Sequence, residues 1–328
     1  MKLEEGKRLF LDDPLNQGGS SPDSAADSAF APEPELCPPI DIIAPPPEGR
    51  FTPLVFSSPH SGRIYPERFL KTSRLDAQTL RRSEDAFVDD LFGPAALSAG
   101  APLLRALFPR AFLDVNREPF ELDPRMFEGK LPTFANTRSA RVAGGLGTIA
   151  RVVGENQEIY GHRLPLLEAD HRLQTLYLPY HRALRQLLDQ TLRAFGTVVL
   201  LDCHSMPSAP FGGVRNVNGT KADVILGDRF GTSCSSLITD VLEDEFSRMG
   251  YLVGRNKPYA GGFITEHYGN PTGHRHAIQI EINRAIYMDE KTMSPLAGFA
   301  DVAKNIKMAC ASLAYVISDW ENQQAAAE

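Results

Sequence analysis

The chain lacks the marks of membrane, secreted and nucleic-acid-binding proteins. No stretch of its 328 residues approaches the roughly 18 consecutive apolar residues of a membrane span. The N-terminus is charged at Lys2, Glu4 and Glu5 with no apolar core behind it, so we expect no secretory signal. The net charge is −7 and no basic block is present, which gives nucleic-acid binding no electrostatic support. We therefore expect a cytoplasmic protein with no membrane and no nucleic-acid partner.

Cysteines are few, and phosphate-binding loops are missing. The four cysteines, at positions 37, 203, 234 and 310, are far apart and form no CxxC pair, which fits reduced thiols. The glycine-rich run 144–148 has neither a GK[ST] ending nor GxGxxG spacing, so it is no nucleotide-phosphate loop. A chain of this length can bury a large core without disulfides or a structural metal.

What is present, from Phe51 onward, is an alternation of strand-like and helical runs. Helices are predicted around Leu184–Phe195, from about Ser235 to Met249, and from about Pro295 to Trp320. Such alternation predicts a layered α/β/α domain. The predicted strands are Leu54–Ser57, Pro102–Leu107, Ala111–Val115, Thr197–Asp202, Ala222–Leu226, Tyr251–Gly254 and His276–Asn283.

Composition suggests three segments. Residues 13–49 are rich in Pro, Ser, Ala and acidic residues, a composition that buries too little apolar surface to offset ordering. We therefore expect a flexible N-terminal arm over residues 1–49, a single domain over residues 50–321 and a short C-terminal tail over residues 322–328.

Two apolar strands each lead into a histidine followed by small polar residues. His60 follows the first predicted strand, and His204 follows the strand that ends at Asp202. Ligands bind at the carboxyl ends of strands in open α/β sheets, and neutral imidazole is the commonest transition-metal ligand. The pair predicts a metal site, although ordinary structural histidines explain the spacing equally well. A catalytic zinc would need a third protein ligand.

The acidic run 83–90 is the expected source of that ligand. If Ser83 caps a helix, Asp85 and Asp89 share one face as an i, i+4 pair and Glu84 points elsewhere. Asp85 is the first choice and Asp89 the second, while the plainest interpretation of the run alone is a solvated, helix-starting cluster. Asp202, two residues before His204, would project to the same side and orient that histidine.

Two further positions suit catalysis. Glu281 lies in the predicted strand His276–Asn283, either as a buried general base or as a sheet-edge residue facing water. Asn116 and Arg117 follow the predicted strand Ala111–Val115, and a guanidinium beside an amide would grip the carboxylate of an acidic small-molecule substrate. The alternative for Arg117 is an ion pair with a neighbouring acid such as Glu118.

Several motifs in one order resemble the N-formylglutamate amidohydrolase family, across roughly Thr52 to Asp289. They are residues 58–62, 84–89, 113–117, 201–206, and 261–265 followed by 276–284. The resemblance implies an α/β/α domain with a central mixed, mostly parallel sheet. It also implies one divalent metal ion, with Zn²⁺ as the first candidate, bound by His60, His204 and an acid at the position of Asp85. Glu281 is implied as the general base.

The same resemblance implies roles for residues outside the metal site. Asn116 and Arg117 match the pair that grips a substrate carboxylate in aspartoacylase-like relatives. Arg63 stands where those relatives have a ligand glutamate, which leaves the third ligand open among Asp85, Asp89 and Glu84. The run Gly261–Thr265, with Tyr268 and His274 or His276, resembles a substrate-side loop.

The activity implied is metal-dependent hydrolysis of N-formyl-L-glutamate to formate and L-glutamate, as in histidine degradation. A hydrolase of another N-acyl amino acid, or a small carboxypeptidase-like enzyme, would use the same metal and base. A non-catalytic metal-binding protein in which Glu281 is structural is the third possibility. The sequence does not determine how many chains assemble.

Overall fold

The computed structural model describes residues 31–49, 51–154, 157–208 and 221–325, with side chains as far as Ser318. The chain divides into two compact units. One comprises Met1–Ile40, Arg63–Ser83 and Leu107–Arg185, and the other comprises Asp41–Gly62, Glu84–Ala106 and Gln186–Glu328. The single domain expected over residues 50–321 stays a prediction. Residues 1–30 of the expected arm and 326–328 of the expected tail lie outside the described residues.

The last part of the expected arm has regular structure. Pro34–Leu36 form a 3₁₀ turn in which Leu36 is buried, and Ile40–Ile43 form a strand at one end of the sheet. The prediction used the average composition of residues 13–49, which does not reveal the short apolar run Ile40–Ile43. This run is long enough to form one edge strand.

The strands of the described residues follow an α/β pattern. In chain order they are β1 (Ile40–Ile43), β2 (Leu54–Ser58), β3 (Leu103–Ala106), β4 (Val152–Val153), β5 (Gln157–Glu158), β6 (Val198–Met206), β7 (Val224–Gly227), β8 (Val253–Arg255), β9 (Arg275–Asn283), β10 (Met288–Asp289) and β11 (Ser294–Pro295). Seven of the described strands form one sheet in the order β1-β3-β2-β6-β9-β7-β8.

The sheet is mixed and mostly parallel. Strand β2 pairs in parallel with β3 and β6, β6 with β9, and β7 with β8, while β7 and β9 run antiparallel. Helices surround the sheet, so the expected α/β fold with a central mixed sheet is confirmed.

Most predicted helices are present with similar bounds. The described α-helices are Glu67–Thr72, Ala77–Arg81, Val88–Ala99, Ala140–Ala143, Leu166–Arg172, Leu178–Phe195, Ser236–Arg248, Phe263–Tyr268 and Phe299–Ala325. Short 3₁₀ segments are Pro34–Leu36, Pro271–Gly273 and Arg284–Ile286, and a π-helical segment, Leu173–Tyr177, joins the fifth α-helix to the sixth. No helix of the described residues is long and apolar enough to cross a membrane.

The two faces of the central strands differ in chemistry. On β6, Val199, Leu201 and Cys203 belong to the apolar core, together with the helices Val88–Ala99 and Phe299–Ala325. Successive side chains of a strand point to opposite faces, so Asp202 and His204 project to the other face. One face of β6 therefore packs in a hydrophobic core, and the other face becomes polar toward the carboxyl end of the strand, where its side chains are still buried.

Two local predictions are wrong. Residues Ala111–Val115 form no strand, because their amides bond in a turn: those of Phe112 and Leu113 both donate to Pro109 O. Ser83 caps no helix, since its hydroxyl donates to Leu80 O and the helix starts only at Val88. Asp85 consequently lies before the helix, and Asp85 and Asp89 are not a helical i, i+4 pair.

Candidate active site

Three parallel strands bring polar side chains to their carboxyl ends in the sheet-bearing unit. His60 follows β2 by two residues, His204 lies near the end of β6, and Glu281 lies near the end of β9. His204 and Glu281 are register partners on neighbouring strands, so their side chains project to the same face. Asp85 reaches this edge because its backbone amide donates to His60 O at 2.9 Å.

His60, Asp85 and His204 converge on one point. Asp85 Oδ2 lies 2.9 Å from His204 Nδ1 and 3.3 Å from His60 Nδ1. The candidate ligand atoms of all three lie within 4.8 Å of one another, and the side chains are only 2–3% exposed. Among the described residues, this is the one group of His, Cys, Asp or Glu donors arranged to hold a metal ion.

This donor set fits a catalytic divalent cation. Two imidazoles and one carboxylate match the mixed three-ligand sites of catalytic zinc. With metal–ligand bonds of about 2.0–2.1 Å, two donors on a tetrahedral ion stand about 3.3 Å apart. The observed separations of 2.9 and 3.3 Å agree with that geometry.

Asp202 orients His204 from the far side of the ring, as its spacing predicts. His204 Nε2 lies 3.0 Å from Asp202 Oδ2, and the Ser57 hydroxyl donates to Asp202 Oδ1 at 3.1 Å. A carboxylate can only accept, and both ring nitrogens of His204 face one, so in the metal-free protein both carry a proton; a bound metal ion would take the place of the Nδ1 proton while Asp202 keeps the proton on Nε2. Burial alone would lower the pKa of His204, but Asp202, Asp85 and Glu281 outweigh it and raise that pKa well above its usual value.

Arg284 is a site residue that the sequence analysis did not identify. Its Nη2 donates to Asp85 Oδ1 at 3.0 Å and its Nε donates to Ser205 Oγ at 3.2 Å, both within the protein interior. The available signal was a charged residue directly after the apolar strand that carries Glu281. In the metal-free protein the buried carboxylates of Asp85, Asp202 and Glu281 face two positive groups, Arg284 and the protonated His204; a divalent cation beside a neutral His204 would balance all three carboxylates.

Glu281 lies in the interior of the sheet. Strand β9 is flanked by β6 and β7, and the side chain is 6% exposed, so the sheet-edge interpretation is wrong. Gln279 Nε2 donates to Glu281 Oε1 at 2.7 Å. The expected general base therefore stands beside His204 with one oxygen held by an amide.

Asp89, the second choice for the third ligand, has a different environment. It lies in the first turn of the helix Val88–Ala99, where Oδ2 accepts from Arg105 Nη1 at 2.8 Å. Arg105 also donates to Asp41 Oδ2 at 2.8 Å. The structure thus brings Asp85, and not Asp89, to the two histidines; Glu84 is buried.

Asn116 and Arg117 belong to the other compact unit. Arg117 donates through Nε to Leu146 O at 2.9 Å and through Nη1 to Asn116 O at 2.8 Å. Its Nη2 lies 3.5 Å from Asp114 Oδ2, so its acidic neighbour is Asp114 and not the expected Glu118. Burial lowers the pKa of the Arg117 guanidinium to about 10, which still leaves it charged at neutral pH.

A helical scaffold holds the loop that carries this pair. Side chains between residues 172 and 181 bind three carbonyls of the loop: Arg172 donates to Phe112 O at 2.7 Å, Tyr177 donates to Arg117 O at 2.8 Å, and His181 Nε2 lies 2.9 Å from Val115 O. The π-helical turn Leu173–Tyr177 lies between the first and last of these donors, and such turns are frequent at functional sites.

The glycine-rich run 144–148 also serves this loop. A Cβ on Gly147 would lie 2.2 Å from Glu121 O, so only glycine permits the close backbone approach. The carbonyl of Leu146 then reaches Arg117, and that of Thr148 accepts from Asp114 N at 2.8 Å.

His276 lies away from the metal-ligand group. It pairs with Val199 at the start of β6, five residues before Glu281 along β9 and facing the opposite side. Its Nδ1 accepts from Ser235 N at 3.2 Å, and burial lowers its pKa to about 4. We therefore assign His276 to the packing at the start of the helix Ser236–Arg248.

Comparison with known proteins identifies the family of this chain. A family model described as N-formylglutamate amidohydrolase matches residues 52–288. Two relatives named N-formylglutamate deformylase, from Pseudomonas putida and Pseudomonas aeruginosa, are 27% and 29% identical over 277 residues, which is 83% of this chain and 94% and 95% of theirs. A crystal structure of N-formylglutamate amidohydrolase from Ralstonia eutropha JMP134 is 34% identical with a TM-score of 0.78, and the match covers 87% of this chain and 99% of that one. The resemblance carried by the motifs is confirmed, and the chain belongs to the N-formylglutamate amidohydrolase family.

Proposed function

We propose that this protein hydrolyses N-formyl-L-glutamate to formate and L-glutamate, using a divalent metal ion, Zn²⁺, held by His60, Asp85 and His204. The observation that carries the proposal is the convergence of these three donors beside Glu281 on the neighbouring strand. The names of the relatives from the two Pseudomonas species support the substrate. Formate and glutamate as products suit a role in histidine degradation.

The residues of the chain divide the chemistry between them. Bound zinc would supply Lewis-acid polarisation of the formyl oxygen and a lowered pKa of a bound water. Asp202 holds the Nε2 proton of His204 and so keeps Nδ1 available as a ligand atom. Glu281, whose Oε1 is occupied by Gln279, takes the proton of the attacking water at Oε2 and passes it to the departing nitrogen.

Substrate recognition is proposed for the Asn116–Arg117 pair. The planar guanidinium would bind a carboxylate of the glutamate, and the Asn116 amide would add a donor. Two observations support this: the sequence motif, and the hydrogen bonds by which Tyr177 and His181 hold the backbone carbonyls of Arg117 and Val115. A rigid loop loses little conformational entropy when it binds an anion.

The experiment compares wild type with Glu281→Gln on a panel of N-formyl, N-acetyl and N-succinyl amino acids, with metal content measured on each protein. We expect wild type to cleave N-formylglutamate fastest. Glu281→Gln should keep its metal and lose about 100- to 10,000-fold in kcat, the usual contribution of a general base. Glu67→Gln, an exposed acid paired with Lys71, is the control and should behave as wild type.

Two results would contradict the proposal. Faster cleavage of an N-acetyl or N-succinyl amino acid than of N-formylglutamate would show that the site hydrolyses a different N-acyl substrate. Metal-free wild type of full activity, or Glu281→Gln with wild-type kcat, would remove the mechanism itself.

A further inference from the structure

We propose that Gln279 is the positioning residue for Glu281, and that the backbone around Gly262 sets the orientation of its amide. The inference deepens the proposed function, since it rests on Glu281 as the general base. It assigns a role to Gly261 and Gly262, the first two residues of the run Gly261–Thr265 that resembles a substrate-side loop.

The two central strands carry the same arrangement. On β6, Asp202 stands two residues before His204 and binds its ring nitrogen. On β9, Gln279 stands two residues before Glu281 and donates to its Oε1 at 2.7 Å. Residues at i and i+2 lie on the same face of a strand, so His204 and Glu281 are each contacted by the side chain two residues earlier in the same strand.

The partners of Gln279 determine which way its amide points. Gly262 N donates to Gln279 Oε1 at 2.8 Å, and a backbone N–H can only donate. Oε1 must therefore face Gly262, and Nε2 must face Glu281. Reversing the amide would set Nε2 against the Gly262 N–H and Oε1 against a carboxylate oxygen, so two hydrogen bonds would be lost together.

Close backbone contact brings Gly262 to this position. A Cβ on Gly227, at the end of β7, would lie 2.8 Å from Ala260 C and Gly261 N. Gly261 has φ +113°, a conformation that side-chain-bearing residues rarely adopt. The segment 260–262 thus lies directly against β7, next to the strand that carries Gln279 and Glu281.

This bond controls the orientation of the carboxylate. The last torsion of a glutamate side chain is broad, so a hydrogen bond to one of its oxygens narrows the range of carboxylate orientations. Gln279 holds Oε1, and the proton goes to Oε2. Misaligned proton transfer slows the chemical step without weakening substrate binding, so loss of Gln279 should lower kcat and leave KM nearly unchanged.

Gln279→Met, which removes both hydrogen bonds at similar volume, is the main test. Activity is measured on the N-acyl amino acid that wild type cleaves fastest. We expect kcat to fall about 10- to 100-fold, the usual worth of a hydrogen bond to a charged group, with KM within about threefold and zinc content unchanged. Hydrogen exchange of the Gly262 amide should accelerate, a readout that does not depend on activity.

A second variant and a double variant separate positioning from simple packing. Gln279→Glu keeps an acceptor for Gly262 but presents an acceptor to Glu281. It should retain slow Gly262 exchange and still lose kcat, because no N–H then reaches Glu281 Oε1. In a Glu281→Gln background, Gln279→Met should cause no further loss, because its effect acts through Glu281.

The outcomes separate this inference from the proposed function. Gln279→Met with wild-type kcat, or the same fold loss with and without Glu281, overturns the positioning role while the base assignment stands. Unchanged Gly262 exchange in Gln279→Met overturns the proposed anchoring of the amide. If Glu281→Gln itself keeps wild-type kcat, the proposed base and this inference fail together.

Discussion

Replacing Asp85 and Asp89 separately by asparagine tests the metal site most directly. The two acids stand four residues apart, both are buried, and each contacts one arginine. They differ in that Asp85 Oδ2 lies within 3.3 Å of both histidine nitrogens, whereas Asp89 Oδ2 binds Arg105. Each variant removes one negative charge from the same segment, so each controls for the other.

The structure gives opposite expectations for the two. A partner that only orients a ligand changes metal affinity about 10- to 100-fold. A direct ligand should exceed this, so we expect Asp85→Asn to weaken zinc binding at least about 1,000-fold, which corresponds to about 4 kcal/mol at about 1.4 kcal/mol per tenfold. Asp89→Asn leaves Arg105 bound to Asp41 and should change zinc affinity less than about threefold, at a stability cost of about 2 kcal/mol, the usual worth of a hydrogen bond to a charged group.

The assay is competition for zinc against a chromophoric chelator, with urea unfolding of the metal-free proteins to confirm that both variants fold. Equal zinc affinities for Asp85→Asn and wild type would refute the assignment of the third ligand. A large loss of zinc affinity in Asp89→Asn, with the affinity of Asp85→Asn unchanged, would place the ion beside Asp89 and not beside Asp85.

Three further predictions follow from the same contacts. Asp202→Asn keeps the shape but removes the charge beside His204 Nε2, so zinc affinity should fall about 10- to 100-fold by the same competition assay, and an unchanged affinity would contradict the orienting role. In the folded, metal-free protein the pKa of His204 is raised, so protonation of this residue stabilises the fold. The stabilisation is complete below about pH 6.5 and is lost as the pH rises through the pKa of His204 in the folded state. The Tm of metal-free wild type should therefore fall over this pH range, and the fall due to His204 should be absent from His204→Gln. His181→Ala removes the contact with Val115 O and should raise KM for N-formylglutamate about 3- to 10-fold with little change in kcat, while the control His171→Ala, whose ring contacts Ala31 O, should leave KM unchanged.

Strand patterns were predictable where local sequence decides them. The bounds of β2 and β9 were predicted within one residue, from a run of apolar residues and from alternating Ile residues respectively. The start of β6 was also predicted within one residue, but β6 continues to Met206, four residues past its predicted end, because its polar residues Asp202 and His204 pair with β9 inside the sheet. The alternation of side chains along a strand also correctly predicted that Asp202 and His204 lie on the same face. The strand predicted at Ala111–Val115 is wrong, because the amides of this mainly apolar run bond to Pro109 and Thr148 in a turn and not to a neighbouring strand.

The sequence by itself determined the fold class, the two histidines at strand ends and the i, i+2 relation of Asp202 to His204, since each depends on neighbouring residues or on motifs read in order. Only the tertiary structure brought Asp85, and not Asp89, beside the two histidines, added Arg284 as a partner of Asp85, and placed Gly262 against Gln279. Those contacts join chain segments that are far apart in sequence or depend on the register between strands. Local propensity carries no information about such pairings, because their energy exists only once the sheet has assembled.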